Sequence, residues 1–167
     1  GSRGLWDVYK RQNCNIKKGT RIIEYKGKVI TRKQSEESSK FDNGRAIYLF
    51  NLNKRFDLDG DFKFNTARLI NHSCEPNCEV FGSGLKIWVY AMKDIKKGEE
   101  LSYDYGFSFD EDYKQYPCRC GSEKCVGYII REGSRWRIKK SRKFSWWKKS
   151  YSFQQEIHIP EDTRVMS

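Results

Sequence analysis

No apolar run in this 167-residue sequence approaches the ~20 residues a membrane span needs, so no spanning helix is expected. The first residues lack the apolar stretch that opens a secretory signal. Six cysteines without such a signal point to thiols or a metal rather than to a disulfide scaffold. Acidic charge is in deficit, with 22 Asp and Glu against 33 Lys and Arg and a formal net charge of +11. That balance points to acidic partners, nucleic acid or nucleosome-like complexes ahead of an anionic membrane, although many of the lysines also serve simply to keep a surface solvated. An intracellular protein is expected, cytoplasmic in a bacterium and nuclear or chromatin-associated in a eukaryote or virus.

Aromatic residues are plentiful. At 15% aromatic and 37% hydrophobic, the chain is not a disordered one despite 33% charged residues. Its length suits one domain with a proper core. Helical periodicity is nearly absent, and many short β-like runs between turn signals predict a mostly β fold.

The run from Asn65 to Cys78 stands apart. Fourteen residues hold three Asn, two Cys, an Arg and a His, centred on Asn71-His72-Ser73-Cys74. No helix or strand period explains that composition. Backbone-binding side chains, a candidate metal ligand in Cys74 and a turn-fixing Pro76 read as an irregular functional loop.

Around it, Ile16-Lys17-Lys18-Gly19 is a turn and residues 20–25 a strand. Thr31 caps a short polar helix through Lys40, and a loop covers residues 41–45. Residues 46–52 and 55–58 read as paired strands, with Asp59-Gly60 a turn signal. Residues 79–81 and 85–90 flank Gly82-Ser83-Gly84 as a hairpin. Ile95-Lys96-Lys97-Gly98 then echoes the earlier Ile16-Lys17-Lys18-Gly19 turn.

Two further constellations carry chemistry. Cys118-x-Cys120-x4-Cys125 places three thiols within eight residues. A tetrahedral structural zinc wants four ligands, and Cys74 is the natural fourth, leaving Cys14 and Cys78 free. Just before this run, Tyr103 and Tyr105 stand at i and i+2 and so share one face of a strand.

Taken together, Asn65-x-Ala67-Arg68-x-Ile70-Asn71-His72-Ser73-Cys74-x-Pro76-Asn77-Cys78, Gly98-Glu99-Glu100-Leu101-Ser102-Tyr103-Asp104-Tyr105 and the Cys-x-Cys-x4-Cys run closely resemble the SET-domain protein-lysine methyltransferases with a post-SET zinc segment. The resemblance covers about residues 16–128, and the small size looks like the compact bacterial or viral-type members. It implies a SET-domain fold of several small β-sheets with a pseudoknot, the segment ending at Tyr105 threading near the Asn71-His72 loop, and a C-terminal zinc-binding segment. It also implies S-adenosylmethionine as methyl donor and one structural zinc ion. Carried over by position, Asn71 and His72 would hold the cofactor and Arg68 would brace that loop. Tyr105 would stand beside the transferred methyl, with Tyr25 and Tyr48 lining the lysine channel. Cys74, Cys118, Cys120 and Cys125 would form the zinc tetrad. Tyr103 falls where the family uses Tyr to restrict the product to mono- or dimethyl-lysine and Phe to permit trimethylation.

These residue types suit the chemistry. A sulfonium methyl is already activated, so the protein mainly aligns an amine for in-line attack. Lysine, with a pKa of about 10.4, must lose a proton first, and a nearby cation plus desolvation lowers that value. A strong base is unnecessary, and His72 is assigned to cofactor contact rather than to proton abstraction.

The expected organisation is an atypical or truncated segment at 1–12, a SET domain at 13–107, a post-SET zinc segment at 108–130 and a basic, aromatic extension at 131–167. The family's opening Gly-x-Gly is not continued after Gly4-Leu5, which marks the first segment as atypical. Between Arg131 and Lys149, nine Lys or Arg accompany Trp136, Trp146 and Trp147. That mixture suits nucleic acid through phosphate charge and stacking, or equally a solvated extension. The expected partner is a protein presenting a lysine, a histone among the candidates, with the enzyme acting as a monomer and without a membrane. The rival reading is a catalytically inactive SET-like module that binds chromatin or nucleic acid.

Overall fold

The computed structural model describes residues 13–42 and 47–138. The atypical opening, most of the expected loop at 41–45 and the tail beyond 138 lie outside them. Short β-branched and aromatic runs punctuated by glycine give eight strands and one α-helix among the described residues. No helix among them is long and apolar enough to cross a membrane.

The first sheet joins β1 (Arg21–Tyr25), β6 (Cys78–Ser83) and β7 (Lys86–Ala91) antiparallel, with β7 in the middle. The expected hairpin is β6–β7, and Gly84 takes its turn with φ +62°. Along β7, Ile87, Val89 and Ala91 point into the core, while Trp88 faces outward under the Arg21 guanidinium, 4.4 Å away. The two echoing Ile-Lys-Lys-Gly turns prove to be partners. Ile16 and Ile95 form an antiparallel bridge with reciprocal N–H···O bonds of 2.8 Å, and both side chains are buried.

The second sheet joins β2 (Lys28–Thr31), β3 (Leu49–Asn51) and β4 (Phe56–Asp59) in the order β2-β4-β3. The β3–β4 hairpin turns over residues 52–55, where Asn53 Oδ1 accepts from the backbone N–H groups of Arg55 and Phe56 at 2.8 and 3.1 Å. Asp59-Gly60 instead ends β4, and its glycine answers to packing rather than to a hairpin. A Cβ on Gly60 would fall 2.1 Å from Cε1 of the Tyr25 ring.

Helix α1 (Arg32–Glu36) carries the expected Thr31 cap in a reciprocal capping box with Gln34. It stops short of Lys40, and a 3-10 turn, Ser39–Phe41, follows. The serines account for this. Ser35 turns its hydroxyl inward to the Asp57 carboxylate of β4 and within 2.8 Å of the Arg32 carbonyl, and Ser38 caps the 3-10 turn, so serine hydroxyls compete with the helical ladder.

The third sheet is two strands of two residues. β5 (Asn71–His72) and β8 (Ser102–Tyr103) run parallel, pairing Asn71 with Ser102 and His72 with Tyr103. Ser73 N–H extends the pairing to the Tyr103 carbonyl at 3.2 Å. The segment ending at Tyr105 thus runs beside the Asn71-His72 loop, as the resemblance implies. Asn77, buried, holds the junction. Its amide donates to Glu99 and to the Glu100 carbonyl, and its oxygen accepts from Ser102 N–H at 2.9 Å.

Candidate active site and thiol cluster

An aromatic column runs through the meeting point of the three sheets. Tyr25 ends β1 with 1% of its surface exposed, and its ring meets Phe50 edge-on at 4.6 Å. Phe50 lies 6.1 Å from Tyr103, Tyr103 4.9 Å from Tyr105, and Tyr105 6.2 Å from Phe107. The shared strand face expected of Tyr103 and Tyr105 is present, although the regular strand ends at Tyr103.

Main-chain carbonyls fix the phenols. Tyr25 donates to the Tyr48 carbonyl at 3.2 Å, and Tyr105 to the Ile70 carbonyl at 2.9 Å. Burial is the main force raising the pKa of all three tyrosines. Neighbouring phenols reinforce it: Tyr105 and Tyr48 act on both Tyr25 and Tyr103, while Tyr48 acts on Tyr105. The cluster is therefore a set of neutral hydroxyls throughout the physiological range.

His72 is committed elsewhere. Its Nδ1 accepts the Tyr105 backbone N–H at 3.2 Å, and its ring meets Tyr105 edge-on at 5.4 Å. That places the neutral ring's proton on Nε2, which lies 3.6 Å from Cys74 Sγ. Burial lowers its pKa, against the opposing pull of Asp104. The histidine links the tyrosine strand to the thiol cluster. Asn71 extends its side-chain amide to Glu100 at 2.5 Å. Arg68 lies with its guanidinium 5.5 Å over the Tyr48 ring and 3.9 Å from Asp61. Its described partners are therefore on the Tyr48 side.

The four cysteines singled out from the sequence come together. The sulfurs of Cys74, Cys118, Cys120 and Cys125 all lie within 4.8 Å of one another, and Cys74 and Cys118 are 3.9 Å apart. Four thiols at that spacing fit a tetrahedral ion with metal–sulfur bonds of about 2.3 Å. Hydrogen bonds from Cys118 first, then from Cys125 and Cys74, hold Cys120 far below the ordinary thiol range. Cys125 falls to about 7, chiefly through Cys118. Cys118 is pushed well above the ordinary thiol range through Cys120 and Cys125, and Cys74 is raised although its bond to Cys118 pulls the other way. Two of the four groups thus keep their protons, and a bound metal would draw those off to give the thiolate ligands it needs. Cys78 is buried apart from it and Cys14 is exposed.

Sequence reasoning missed three residues. Asn65 is buried, its oxygen accepting from Lys26 N–H at 3.1 Å and its amide donating to the Gly60 carbonyl at 2.9 Å. It ties the start of the loop to both chain segments that cradle Tyr25. Asp104, between the two tyrosines, accepts from Gly106 N–H, Glu132 N–H and Arg135. Arg135 belongs by sequence to the basic extension, yet it is buried. Asn65 and Asp104 each carry a signal in their positions within the two motifs, whereas Arg135 carries none.

A parallel strand pair bearing Asn-His beside a strand that runs into Tyr-x-Tyr, with a thiol cluster against the loop, is SET architecture. The family model for the SET domain matches residues 11–106, and the chain belongs to that family. It is similar to the histone-lysine N-methyltransferase trithorax of Drosophila virilis, 36% identical over 122 residues. It is similar also to histone-lysine N-methyltransferase 2B of Homo sapiens, 39% over 121 residues, and to histone-lysine N-methyltransferase ash1 of Drosophila melanogaster, 38% over 130. Between 69% and 74% of this chain is covered, but only 3% to 6% of each relative. The chain therefore corresponds to a small part of very large animal proteins, which lend no support to the expected bacterial or viral-type affinity.

Proposed function

We propose that this chain transfers a methyl group from S-adenosylmethionine to the ε-amine of a protein lysine. The observation that carries the proposal is the tyrosine column, with Tyr105 bonded through its hydroxyl to Ile70 and through its backbone to His72. Membership of the SET family and relatives named as histone-lysine N-methyltransferases support it. A histone is accordingly the first substrate class to test. Mono- or dimethylation is the proposed product, because the Tyr103 phenol, packed against Tyr105, would anchor a water in the room that further methyls would need.

The residues present fit such a cofactor. Neutral phenols and the Ile70 and Tyr48 carbonyls present the negative ends of dipoles, suited to a cationic centre and to an amine. Asn71, His72 and Tyr105 would hold the cofactor, Asn71 and His72 largely through backbone groups. Arg68 would keep Tyr48 in place. When bound, the cofactor supplies an electrophilic methyl whose leaving group departs neutral.

This chain's residues then align and desolvate. Tyr25 and Tyr48 would line the passage for the lysine stem, and Phe50, packed between Tyr25 and Tyr103, keeps water from the reacting region. The buried surroundings disfavour the ammonium form of an incoming lysine. Tyr105 would orient the amine without accepting its proton, since its phenol does not ionise near neutrality. His72 has both ring nitrogens occupied and acts as a support. Effective alignment of two reactants contributes about 7–11 kcal/mol to such a step. The thiol tetrad would hold one structural zinc, anchoring Cys74 and hence the loop.

The test is incubation with labelled cofactor and a panel of histones, comparing the unmutated chain with Tyr105→Phe. Label on lysine above the variant's background is expected. Cofactor and histone binding with no transfer would favour the inactive chromatin-binding module.

A further inference from the structure

Beyond the last cysteine of the cluster, the described residues up to 138 stay against the domain. Ile130 has no exposed surface, and the 3-10 segment Glu132–Arg137 folds back over the strand of the tyrosines. Arg131 N–H donates to the Phe107 carbonyl at 2.9 Å, and Glu132 N–H to Asp104 at 3.0 Å. At the centre is Arg135, 8% exposed. Its Nε donates to the Ile130 carbonyl at 2.8 Å, one terminal nitrogen to the Cys74 carbonyl at 2.8 Å, and the other to Asp104 at 2.6 Å.

These three acceptors belong to three separate parts of the chain. Ile130 is in the segment itself, Cys74 is the loop cysteine of the thiol cluster, and Asp104 stands between Tyr103 and Tyr105. Only a planar guanidinium presents donors in the fixed fork that serves all three at once. A charge taken out of water must be met by such partners, so the arrangement commits all of them together. Asp104 in turn accepts from Gly106 N–H at 2.9 Å, which shapes the bend directly after Tyr105.

We propose that Arg135 is a positioning residue for the active site: it ties the segment after the cysteine cluster to Cys74 and Asp104 and so sets the placement of Tyr105 against the Asn71-His72 strand. The inference rests on the methyltransferase reading for its kinetic consequence but not for its structural one. A wrong position of about 1 Å costs on the order of 10²-fold in such an alignment, and that is the expected fall in kcat for Arg135→Ala. KM for the lysine substrate changes far less, because Arg135 does not line the route to the amine. Arg135→Lys keeps the charge but not the fork, and recovers only a small part of the loss.

The experiment uses the full chain loaded with zinc. Metal content is measured for the unmutated protein, Arg135→Ala and Arg135→Lys, followed by hydrogen exchange and then kinetics. Amides at residues 71–78 and 102–107 are expected to lose protection in Arg135→Ala, while those of β7 keep it and the metal content stays the same. Equal protection in all regions, or a kcat within twofold of the unmutated chain, overturns the proposal. So does a uniform loss that includes β7, which would mark Arg135 as a general stability residue. If no lysine substrate is methylated by the unmutated chain, the methyltransferase reading fails by itself and the exchange pattern still decides the role of Arg135.

Discussion

Tyr105 and His72 lie 33 residues apart in sequence and meet through a backbone N–H on Nδ1 at 3.2 Å. That bond uses the imidazole as an acceptor, leaves its other nitrogen facing Cys74, and turns the Tyr105 hydroxyl onto Ile70. A residue that looks like a general base in the sequence thereby becomes a strut between the phenol and the thiol cluster.

Replacing Tyr105 by Phe keeps the ring packing and removes the 2.9 Å bond to Ile70. The expected loss of stability is about 0.5–1.5 kcal/mol, read from denaturant midpoints. The expected fall in methyl transfer is much larger, on the order of 10²-fold, if the hydroxyl aligns the amine. A variant with the expected stability loss but unaltered turnover would remove Tyr105 from the reaction.

Tyr103→Phe bears on product multiplicity. With the hydroxyl gone from a buried position, mass spectrometry of the product is expected to shift from mono- and dimethyl- toward trimethyl-lysine. Trimethyl-lysine from the unmutated chain would contradict the assignment.

Metal removal is expected to change which thiols react. Of the six cysteines, only Cys14 is both exposed and outside the cluster. With zinc bound, a thiol reagent should modify Cys14 quickly. Cys78 should react slowly, because burial raises its pKa to about 11. A strong chelator should expose four more reactive thiols and lower Tm. An unchanged count of reactive thiols after chelation would argue against the tetrad.

Gly60→Ala is a packing test of the Tyr25 wall. The added methyl would lie 2.1 Å from Tyr25 Cε1, so the ring or β4 must shift. A loss of about 1–3 kcal/mol is expected from such overpacking. Gly133→Ala, with nothing within 4 Å of its Cβ, should leave stability close to unchanged by comparison. Equal melting temperatures for the two variants would contradict the described contact.

Acid stability has a localised contribution at Glu99. The Asn77 amide first, and then the Lys96 N–H, hold its carboxyl below the ordinary 4.5. A carboxyl with a lowered folded-state pKa stabilises the fold above its unfolded value, and the gain is lost as pH falls through the folded value. Glu99→Gln removes the titration and keeps one of the two acceptor oxygens, so it lowers stability at neutral pH but flattens its acid dependence. Its stability should therefore decline less between pH 4.5 and the folded-state pKa than that of the unmutated chain. The effect is small because Glu99 is only half-buried and water still screens it, and superimposable acid limbs would refute it.

Strand and turn content was readable because β-branched alternation and glycine turns are local. The β6–β7 hairpin, the Thr31 cap and the Tyr103/Tyr105 face all follow from periods of two residues or from one hydroxyl. Helix α1 ended early because serine hydroxyls drew backbone groups away, a competition that propensity alone underweights. Gly60 carried a turn signature, yet its contact is with a ring 35 residues earlier in the chain.

The residue types of the site were written in the chain itself: a loop rich in Asn, His and Cys, a Tyr-x-Tyr strand and a cysteine run. Their chemistry limits what they can do wherever they meet. Tertiary structure decided how they meet, by pairing two strands of two residues in parallel and by closing four thiols from opposite ends of the domain. It also decided that Arg135 is buried at the centre rather than spread on a basic surface. A guanidinium reads the same in either setting, and only the position of a carbonyl and a carboxylate brought from elsewhere in the chain distinguishes them.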